Sequence, residues 1–389
     1  MFSISRLQQT MKGIPRGVFE AFVREEGTDK HCKGFDSWNH LVAMVYGHLS
    51  GAESLRGLTG GFNRQWTHHY HLDVAAVSRS TLAQANARRS CVLFEAVARY
   101  LMARVSRAVR RDSAPLLQML DSTTISLAGR GHQTWTAPLR TRCGQGLKLH
   151  VLWDAASQVP RRQALSTTVV NDRNVGVTLP LEAGVTYVFD KAYCDYRWWA
   201  QIGQHGAYFI TRFKSNAGLV VERPRRIPRA SAGHILADEV VTLKHVHARG
   251  GRPASPALRL RRITVAREGK TPLVLATNDL RRSAQAVAEG YKARWGIELF
   301  FKWIKQHLKV KRFLGHSQNA VRIQLLCALI AYLLASLYHR QQGQGETLWE
   351  FVSALRATLF QRPDTEALNY RRRCERRQEI AAIQTVMDV

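Results

Sequence analysis

Three acidic residues are the first candidates for chemistry. Asp121 follows the mainly apolar residues 116–120 and precedes Ser-Thr-Thr, and Asp190 follows the mainly apolar residues 185–189. Glu298 lies in an apolar segment with helical spacing. An acid at the end of a strand is often only a turn or cap residue. Three converging carboxylates, by contrast, repel one another unless divalent cations lie between them.

Such a triad would suit the cleavage of a phosphodiester. Two Mg²⁺ ions about 3.5–4 Å apart can activate a water and stabilise the leaving 3′ oxygen in an in-line attack. Mn²⁺ can take the place of Mg²⁺ in this chemistry. We therefore expect Asp121, Asp190 and Glu298 to be both the metal ligands and the catalytic residues.

The segment 291–315, which contains Glu298, predicts one long helix because it is rich in large apolar residues and has no Pro. At about 100° per residue, its polar residues fall within an arc of roughly 80°; they are Tyr291, Arg294, Glu298, Lys302 and Lys305. Ile297, Phe300, Phe301, Ile304 and Leu308 form the opposite, inward face. Two interpretations of the polar row stay open. It is either a solvated face with i,i+4 pairs worth tenths of a kcal/mol, or a set of cations that holds the phosphates of the strand being cut.

The charge balance points to a polyanionic partner. The 389 residues include 57 Lys and Arg against 29 Asp and Glu, a formal net charge of +28. Basic residues occur in every segment, which favours nucleic acid along a long surface over a membrane-binding helix. A coding bias towards Arg is the alternative source of part of this charge. We expect double-stranded DNA as the partner.

Cysteine spacing and hydropathy indicate a protein of the reducing cytosol. The six cysteines lie far apart without a C-x-x-C pair, which argues against zinc ribbons and a disulfide framework. The first residues lack the apolar core of a signal peptide. The longest apolar run, residues 325–338, is too short to span a bilayer and predicts a buried helix. We expect a soluble, cytoplasmic, nucleoid-associated protein without a membrane anchor.

The order of predicted elements gives an α/β fold. Residues 1–112 have helical patterns throughout, with Ser80 as an N-cap, and predict a helical N-terminal DNA-binding domain. Residues 113–213 contain three strands able to form a meander, followed by strand, helix and strand. This is the order of a ribonuclease H-like core. In that core the first and fourth strands are neighbours, so Asp121 and Asp190 would be adjacent.

Three further regions follow. Residues 214–282 alternate like antiparallel strands and predict a β-rich insertion. Residues 283–340, starting at Ser283, predict the helical second part of the core with the Glu298 helix. Residues 341–389 predict a helical, basic C-terminal tail.

The motifs resemble one known family. Tyr291, Arg294, Glu298 and Lys305 give the spacing Y-x2-R-x3-E-x6-K, similar to the signature of the DDE transposases of bacterial insertion sequences with the Tyr-Arg-Glu-Lys motif. The DSTT and YVFDKAY segments at the two aspartates, and the N-terminal KGFDSW, SLRGL and STLAQANAR segments, also resemble that family. One departure is Ala192, which stands where the family usually has Gly.

The resemblance implies residue roles and partners. Asp121, Asp190 and Glu298 would be the catalytic triad, and Tyr291, Arg294 and Lys305 would contact the phosphates of the transposon end. The DNA partners would be the terminal inverted repeats and the target, bound by a homodimer in a synaptic complex. A hairpin intermediate is implied by relatives alone, because the insertion lacks the Trp that stacks a flipped base in some of them.

Several other polar residues have weaker signals. Lys302 lies in the polar row, and Arg212 and Lys214 follow the last core strand, so all three are candidate DNA contacts; a solvated position is the alternative. Two acids complete the set: Asp172 is expected to be a helix N-cap, and Asp154 is a reserve metal ligand. His150 and the cysteines are expected to be structural.

The leading functional hypothesis is a transposase that cuts its element's ends and joins them to target DNA. A ribonuclease H-like nuclease or resolvase that only hydrolyses DNA is the alternative, and strand joining by a 3′-OH end separates the two. A third hypothesis is a non-catalytic, basic DNA-binding protein, against which the three intact acids count.

Overall fold

The computed structural model describes residues 5–109, 116–127, 132, 134–138, 145–231, 233–244, 258–307, 313–342 and 345–361. The chain divides into two compact units. Unit 1 comprises Met1–Leu101 with Asn319–Val389, and unit 2 comprises Met102–Gln318. The sequence pattern assigned residues 283–340 to the core, whereas the structure groups Asn319 onward with the N-terminal helices. Residues 362–389 of the predicted basic tail lie outside the described residues.

The described residues form thirteen α-helices. These are α1 (Arg6–Met11), α2 (Arg16–Glu26), α3 (Ser37–Ser50), α4 (Leu55–Arg64), α5 (Trp66–Leu72), α6 (Arg79–Arg88), α7 (Val92–Val109), α8 (Asp172–Gly176), α9 (Tyr196–Gln204), α10 (Ala284–Lys292), α11 (Trp295–His307), α12 (Gln318–Gln342) and α13 (Leu348–Thr358).

The core of unit 1 is built on α3 and α12, which are buried on nearly all sides. Asp36 caps α3, since its Oδ1 accepts a hydrogen bond of 2.7 Å from the Asn39 amide. By length and composition α12 could cross a membrane, but 94% of its most apolar window is buried in the fold. The predicted buried helix is therefore present, although it is longer than the apolar run alone indicated.

Unit 2 contains one mixed sheet of ten strands among the described residues. They are β1 (Leu117–Leu127), β2 (Ala137–Pro138), β3 (Gln145–Asp154), β4 (Val159–Thr167), β5 (Thr186–Phe189), β6 (Tyr208–Arg212), β7 (Leu219–Pro224), β8 (Ile235–Leu243), β9 (Arg259–Val265) and β10 (Leu273–Thr277).

The strand β1 is an interior strand, third in the order of this sheet. It pairs antiparallel with β3 and parallel with β5. Beyond these neighbours, β4 is antiparallel to β3 and β6 is parallel to β5. The order β4-β3-β1-β5-β6 therefore combines an antiparallel meander with two parallel strands, with β2 also on β3.

The predicted β-rich insertion extends the same sheet. The strand β10 pairs antiparallel with β6, and β9, β8 and β7 follow in order. The sequence pattern missed β7, which is almost wholly exposed and ends at Pro224. Its backbone pairing with β8 forms the strand, and a short segment exposed on both faces gives no alternation of buried and exposed residues from which to predict it.

Aromatic side chains of α9 fill the core beneath β5 and β6. Trp198 and Trp199 are fully buried, with ring centroids 4.7 Å from those of Phe189 and Phe209 respectively. Such aromatic pairs contribute about 0.5–1.5 kcal/mol beyond the area that they bury. This packing fixes the strand that leads to Asp190.

A buried arginine ties the extended sheet to the start of α10. Arg261 on β9 donates two hydrogen bonds of 2.7 Å to Asp238 on β8. It also donates to the carbonyl oxygens of Asp279 at 3.3 Å and Arg282 at 2.5 Å. These carbonyls immediately precede α10, which Ser283 caps as predicted.

Three local predictions are wrong. Residues 291–315 do not form one helix, because α10 ends at Lys292 and α11 begins at Trp295. The N-cap of α6 is Ser78 instead of Ser80, since the Ser78 hydroxyl accepts from the Thr81 amide at 3.1 Å. The N-cap of α8 is Asn171, and Asp172 is its first helical residue.

Candidate active site

Asp121 and Asp190 come from adjacent parallel strands. The register of β1 and β5 pairs Leu120 with Phe189, so the two aspartates follow at neighbouring positions. Asp190 also caps a short 3₁₀ turn, its Oδ1 accepting from the Ala192 amide at 3.1 Å. Ala192 therefore serves this turn through its backbone amide.

Glu298 reaches the same region from α11, which packs on β1. Its position depends on the break between α10 and α11. There the amides of Arg294, Gly296 and Ile297 each donate to the carbonyl three residues earlier, at 3.1, 3.0 and 3.2 Å. This tighter turn changes the angular position of the side chains of α11 relative to those of α10. The arc of polar residues calculated for one continuous helix therefore does not apply.

Arg294 joins two of the acids. Its Nη1 donates to Asp121 Oδ2 at 3.2 Å, and its Nη2 donates to Glu298 Oε1 at 2.5 Å. The guanidinium carbon lies 5.7 Å from the ring centroid of Tyr291. Tyr291 is itself buried, so it does not lie on a solvent-facing row as the helical wheel predicted.

The third acid has its own arginine. Arg212, at the end of β6, donates from Nη2 to Asp190 Oδ2 at 2.6 Å. The Nε atoms of Arg212 and Arg294 are buried and have no hydrogen-bond partner in the part of the chain that the structure describes. Arg212 therefore neutralises one carboxylate and Arg294 two, through charge-assisted hydrogen bonds of their terminal nitrogens.

Burial raises the pKa of Asp121 to about 6, against the opposing effects of the Ser122 amide and Arg294. Glu298 and Asp190 raise it further through like-charge repulsion. Burial also raises the pKa of Tyr291, which keeps its phenol neutral. The electrostatic coupling of Asp121 with both other acids indicates one shared site.

A cavity of about 380 Å³ opens beside this site. The acids Asp121 and Glu298 line it together with Lys302 and Lys305. Lys302 is exposed and Lys305 is half-buried.

The predicted inward face of the helix is confirmed for Ile297, Phe300, Phe301 and Ile304. Leu308 lies outside the described residues.

The remaining predicted residues lie elsewhere. Lys214 is exposed two residues beyond Arg212. Asp154 is buried and caps a turn, its Oδ1 accepting from the amides of Ala156 at 3.0 Å and Ser157 at 3.4 Å. It pairs with Gln118, three positions before Asp121 on β1, so it is a turn residue and not a ligand of this site.

Two more predicted residues have structural partners. Asp172 binds the Lys148 ammonium at 3.0 Å. His150 is buried and shares a hydrogen bond of 2.7 Å with the Ser166 hydroxyl, and burial lowers its pKa to about 4. The cysteines among the described residues are free thiols.

One exposed face near the site was not predicted. Trp295 and Leu299, on the solvent side of α11, are 59% and 51% exposed. Their spacing of four residues places them on one face of the helix. A helical wheel begun at Trp295 would have shown this apolar patch. The wheel begun at Tyr291 did not, because it treated the residues on both sides of the break between α10 and α11 as one helix.

The donor set fits a hard divalent cation in chemistry, because carboxylate oxygens are the ligands that such ions prefer. Among the described residues, however, no three acids, histidines or cysteines are close enough to hold an ion. The guanidinium of Arg294 lies between Asp121 and Glu298 instead. The acids therefore suit a metal site whose positive charge is here supplied by arginine.

Comparison with known proteins gives the family. The family described as "Transposase DDE domain" matches residues 112–334, more than half of the chain. A protein of Sinorhizobium fredii named as a transposase, y4zB, is 39% identical over 295 residues, which are 74% of this chain and 79% of that protein. The chain belongs to the DDE transposase family. The matched range contains Asp121, Asp190 and Glu298.

Other similarities accompany this match. A Geobacillus stearothermophilus protein named as a transposase for the insertion sequence element IS5377 is 28% identical over 242 residues, covering 62% of this transposase and 61% of that protein. Residues 3–74 match a domain of unknown function (DUF4372). A cryo-EM structure titled piggyBac transposase synaptic complex with hairpin DNA has a TM-score of 0.49 and 9% identity, over 92% of this chain and 80% of that one. DDE transposase domains cleave DNA and use divalent metal ions.

Proposed function

We propose that the chain binds the ends of its insertion sequence, cleaves DNA phosphodiesters there and joins the 3′-OH ends to target DNA. Asp121, Asp190 and Glu298 are the catalytic carboxylates. The bridge from Arg294 to Asp121 and Glu298 carries the proposal, because it links an acid of the sheet to an acid of a helix far along the chain. The register of β1 and β5, with Asp190 next to Asp121, supports the third member.

The core is ribonuclease H-like. The strand order β4-β3-β1-β5-β6, with three antiparallel strands followed by two parallel ones, supports this assignment. We assign residues 113–213 and 283–318 to the two parts of the core, because residues 319–340 group with the N-terminal helices. Residues 214–282 are an insertion that lengthens the core sheet. Residues 1–112 are the DNA-binding domain, and residues 341–389 are a basic tail.

Asp121, Asp190 and Glu298 would hold two divalent ions, Mg²⁺ or in its place Mn²⁺. Bound there, such ions lower the pKa of the attacking water or 3′-OH and stabilise the leaving 3′ oxygen. Asp121 is poised for this role because its pKa of about 6 leaves it mainly ionised at neutral pH while its burial disfavours an isolated charge. Without the ions, Arg294 and Arg212 supply the compensating charge.

The basic residues around the acids hold the DNA. Lys302 and Lys305 line the cavity that contains Asp121 and Glu298, so a phosphate there meets two ammonium groups within reach of two carboxylates. Arg212 and Arg294 add positive charge beside the acids, and Tyr291 packs against Arg294 and restricts its orientation. Lys214 continues this basic edge. Tyr291, Arg294, Glu298 and Lys305 are thus the Tyr-Arg-Glu-Lys signature in this chain.

The partners are the terminal inverted repeats and the target DNA. A homodimer brings the two ends together, and the protein acts at the nucleoid. The large positive charge favours DNA of any sequence, so recognition of the ends requires base contacts in addition.

A strand-joining assay tests the proposal. The substrate is a labelled duplex that ends in the inverted repeat found beside the gene, incubated with supercoiled target plasmid and Mg²⁺. A transposase converts label to plasmid-linked product through the 3′-OH. A second substrate is precut so that it already exposes the 3′-OH. If the uncut duplex were cleaved but neither substrate gave plasmid-linked label, the protein would be a hydrolytic nuclease instead.

A further inference from the structure

The helix α6 of unit 1 is anchored along one narrow side. Leu82 and Asn86, four residues apart, are buried. Asn86 Oδ1 shares a hydrogen bond of 2.8 Å with His40 Nε2. Asn319 Nδ2 donates to the carbonyl oxygens of Asn86 at 3.0 Å and Arg89 at 2.7 Å. The helix is therefore fixed in orientation by polar contacts as well as by packing.

The start of α6 is equally fixed. Asn63 on α4 donates to the Val77 carbonyl at 2.9 Å and accepts from the Val77 amide at 3.0 Å. Ser78 then caps the first turn. Because α4 packs on α6, the two helices and the connection between them form one rigid element. A rigid element presents its outer side chains with a defined direction.

The outer face of α6 is exposed and carries hydrogen-bonding groups. At about 100° per residue, five of the six exposed residues of this helix span roughly 120° on the side opposite Leu82 and Asn86. They are Ser80, Thr81, Gln84, Ala87 and Arg88, and the sixth, Arg79, lies next to the buried side. The helix has no acidic residue. An ordinary solvated helix mixes acids and bases, whereas this face has hydroxyl, amide and guanidinium groups and one small apolar side chain, with no acid.

This chemistry matches base edges in duplex DNA. The major groove, about 12 Å wide, admits an α-helix. Glutamine pairs in bidentate fashion with the N6 and N7 atoms of adenine, arginine with the O6 and N7 atoms of guanine, and a small apolar side chain contacts the thymine methyl group. Arg56 and Arg64 on the adjoining α4 are exposed, and they supply positive charge for the flanking phosphates.

We propose that α6 is the recognition helix of this transposase, and that Gln84 and Arg88 read base edges in the major groove of the element's end. The occupant is duplex DNA because the face carries no negative charge and belongs to a chain with a formal charge of +28. The inference rests on the proposed function, since it assumes that the chain recognises the ends of its own element.

The experiment compares Gln84→Ala and Arg88→Ala with the parent protein. Fluorescence anisotropy in Ca²⁺ measures the affinity for an end-sequence duplex and for a scrambled duplex of equal length. Matched controls are Gln201→Ala on the exposed side of α9 and Arg24→Ala on the exposed side of α2. Far-UV circular dichroism verifies that each variant is folded.

We expect each α6 variant to lose about 5- to 150-fold affinity for the end duplex, the value of one bidentate base contact. Gln84→Ala keeps the parent affinity for scrambled DNA, and the control variants keep the parent's preference for the end. In addition, 7-deaza-adenine at the contacted position weakens the parent but not Gln84→Ala.

Four results would overturn the inference. Equal losses on both duplexes would make the α6 face a non-specific phosphate contact. If both variants kept the parent's preference for the end duplex over the scrambled one, another element would recognise the end, and the proposed function would stand. A parent protein without any preference for the end duplex would refute end recognition itself, and with it the proposed function. A change of oligomeric state without a change in DNA affinity would assign the face to a second copy of the chain.

Discussion

Replacing Arg294 with glutamine should destabilise the metal-free protein and strengthen its binding of divalent cations. The Arg294 side chain is 16% exposed, and those of its partners Asp121 and Glu298 are 19% and 33% exposed. Breaking a fully buried pair costs about 3–5 kcal/mol, and breaking an exposed one about 0.2–1 kcal/mol. The intermediate burial here gives about 2 kcal/mol of lost unfolding free energy.

The same contact opposes metal binding, because a cation that binds Asp121 and Glu298 must displace the guanidinium. If about 2 kcal/mol is released, the variant binds Mn²⁺ roughly 30-fold more tightly than the parent. Titration of Mn²⁺, followed by the electron paramagnetic resonance signal of the free ion, measures this without DNA and without turnover. Added Mn²⁺ should also raise the unfolding temperature of the variant more than that of the parent.

Arg262→Gln is the matched control. Arg262 binds Glu239 at 2.6 Å, and the two side chains are 30% and 20% exposed, but the pair lies in the extended part of the sheet. Its loss should lower stability without changing the affinity for Mn²⁺. If Arg294→Gln bound Mn²⁺ no more tightly than the parent, the arginine would not compete with a cation, and the assignment of these acids as ligands would fail.

Three further predictions concern DNA and stability. Lys305→Ala should weaken engagement of the end duplex in a gel-shift assay and lower joining in proportion, because Lys305 lines the cavity beside Glu298; parent-like binding would leave the lysine a surface residue. Affinity for any duplex should fall with salt, with a log–log slope of about −0.9 per phosphate contact, and a flat dependence would contradict the role of the basic surface. Burial lowers the pKa of His40 to about 3, with Arg89 adding to the effect. Since the unfolded pKa of about 6.5 is higher, stability is full above pH 6.5 and falls as the pH drops towards 3, by about 2 kcal/mol at pH 5. Urea unfolding of the parent and His40→Gln at pH 7 and pH 5 measures this loss, which the variant should largely lack; an equal loss in both would contradict it.

Much of the site could be predicted because its residues carry local signals. The runs before Asp121 and Asp190 form the adjacent strands β1 and β5, and the inward face of α11 is buried as its spacing indicated. These outcomes follow from patterns of apolar residues, which depend mainly on which side of an element is buried.

The partners of the acids could not be predicted in the same way. The wheel drawn through Arg294 and Glu298 assumed one helix because no Pro marks the turn at Ala293. The flanking Gly290 and Gly296 are single glycines of a kind that helices tolerate. That turn directs Arg294 onto Asp121, a contact across 173 positions of sequence. The pair Arg212–Asp190 likewise depends on the sheet order that brings β6 beside β5. Such contacts are set by tertiary packing and leave no periodic signal in the chain.

The continuity of the insertion with the core sheet is a similar case. The strands of residues 214–282 have an alternating pattern that predicts antiparallel pairing but not the identity of the neighbour. Hydrogen bonds from β10 to β6 are made by backbone groups, so side-chain patterns do not specify them.

The most direct test of the central claim separates cutting from holding. Asp121→Asn, Asp190→Asn and Glu298→Gln are each compared with the parent for binding of the end duplex in Ca²⁺ and for its cleavage in Mg²⁺. Each change removes one carboxylate charge with little change in shape, so we expect end binding within a few-fold of the parent and cleavage reduced below detection. Cleavage by Asp190→Asn at the parent rate, with end binding intact, would contradict the assignment of the three acids as one catalytic site.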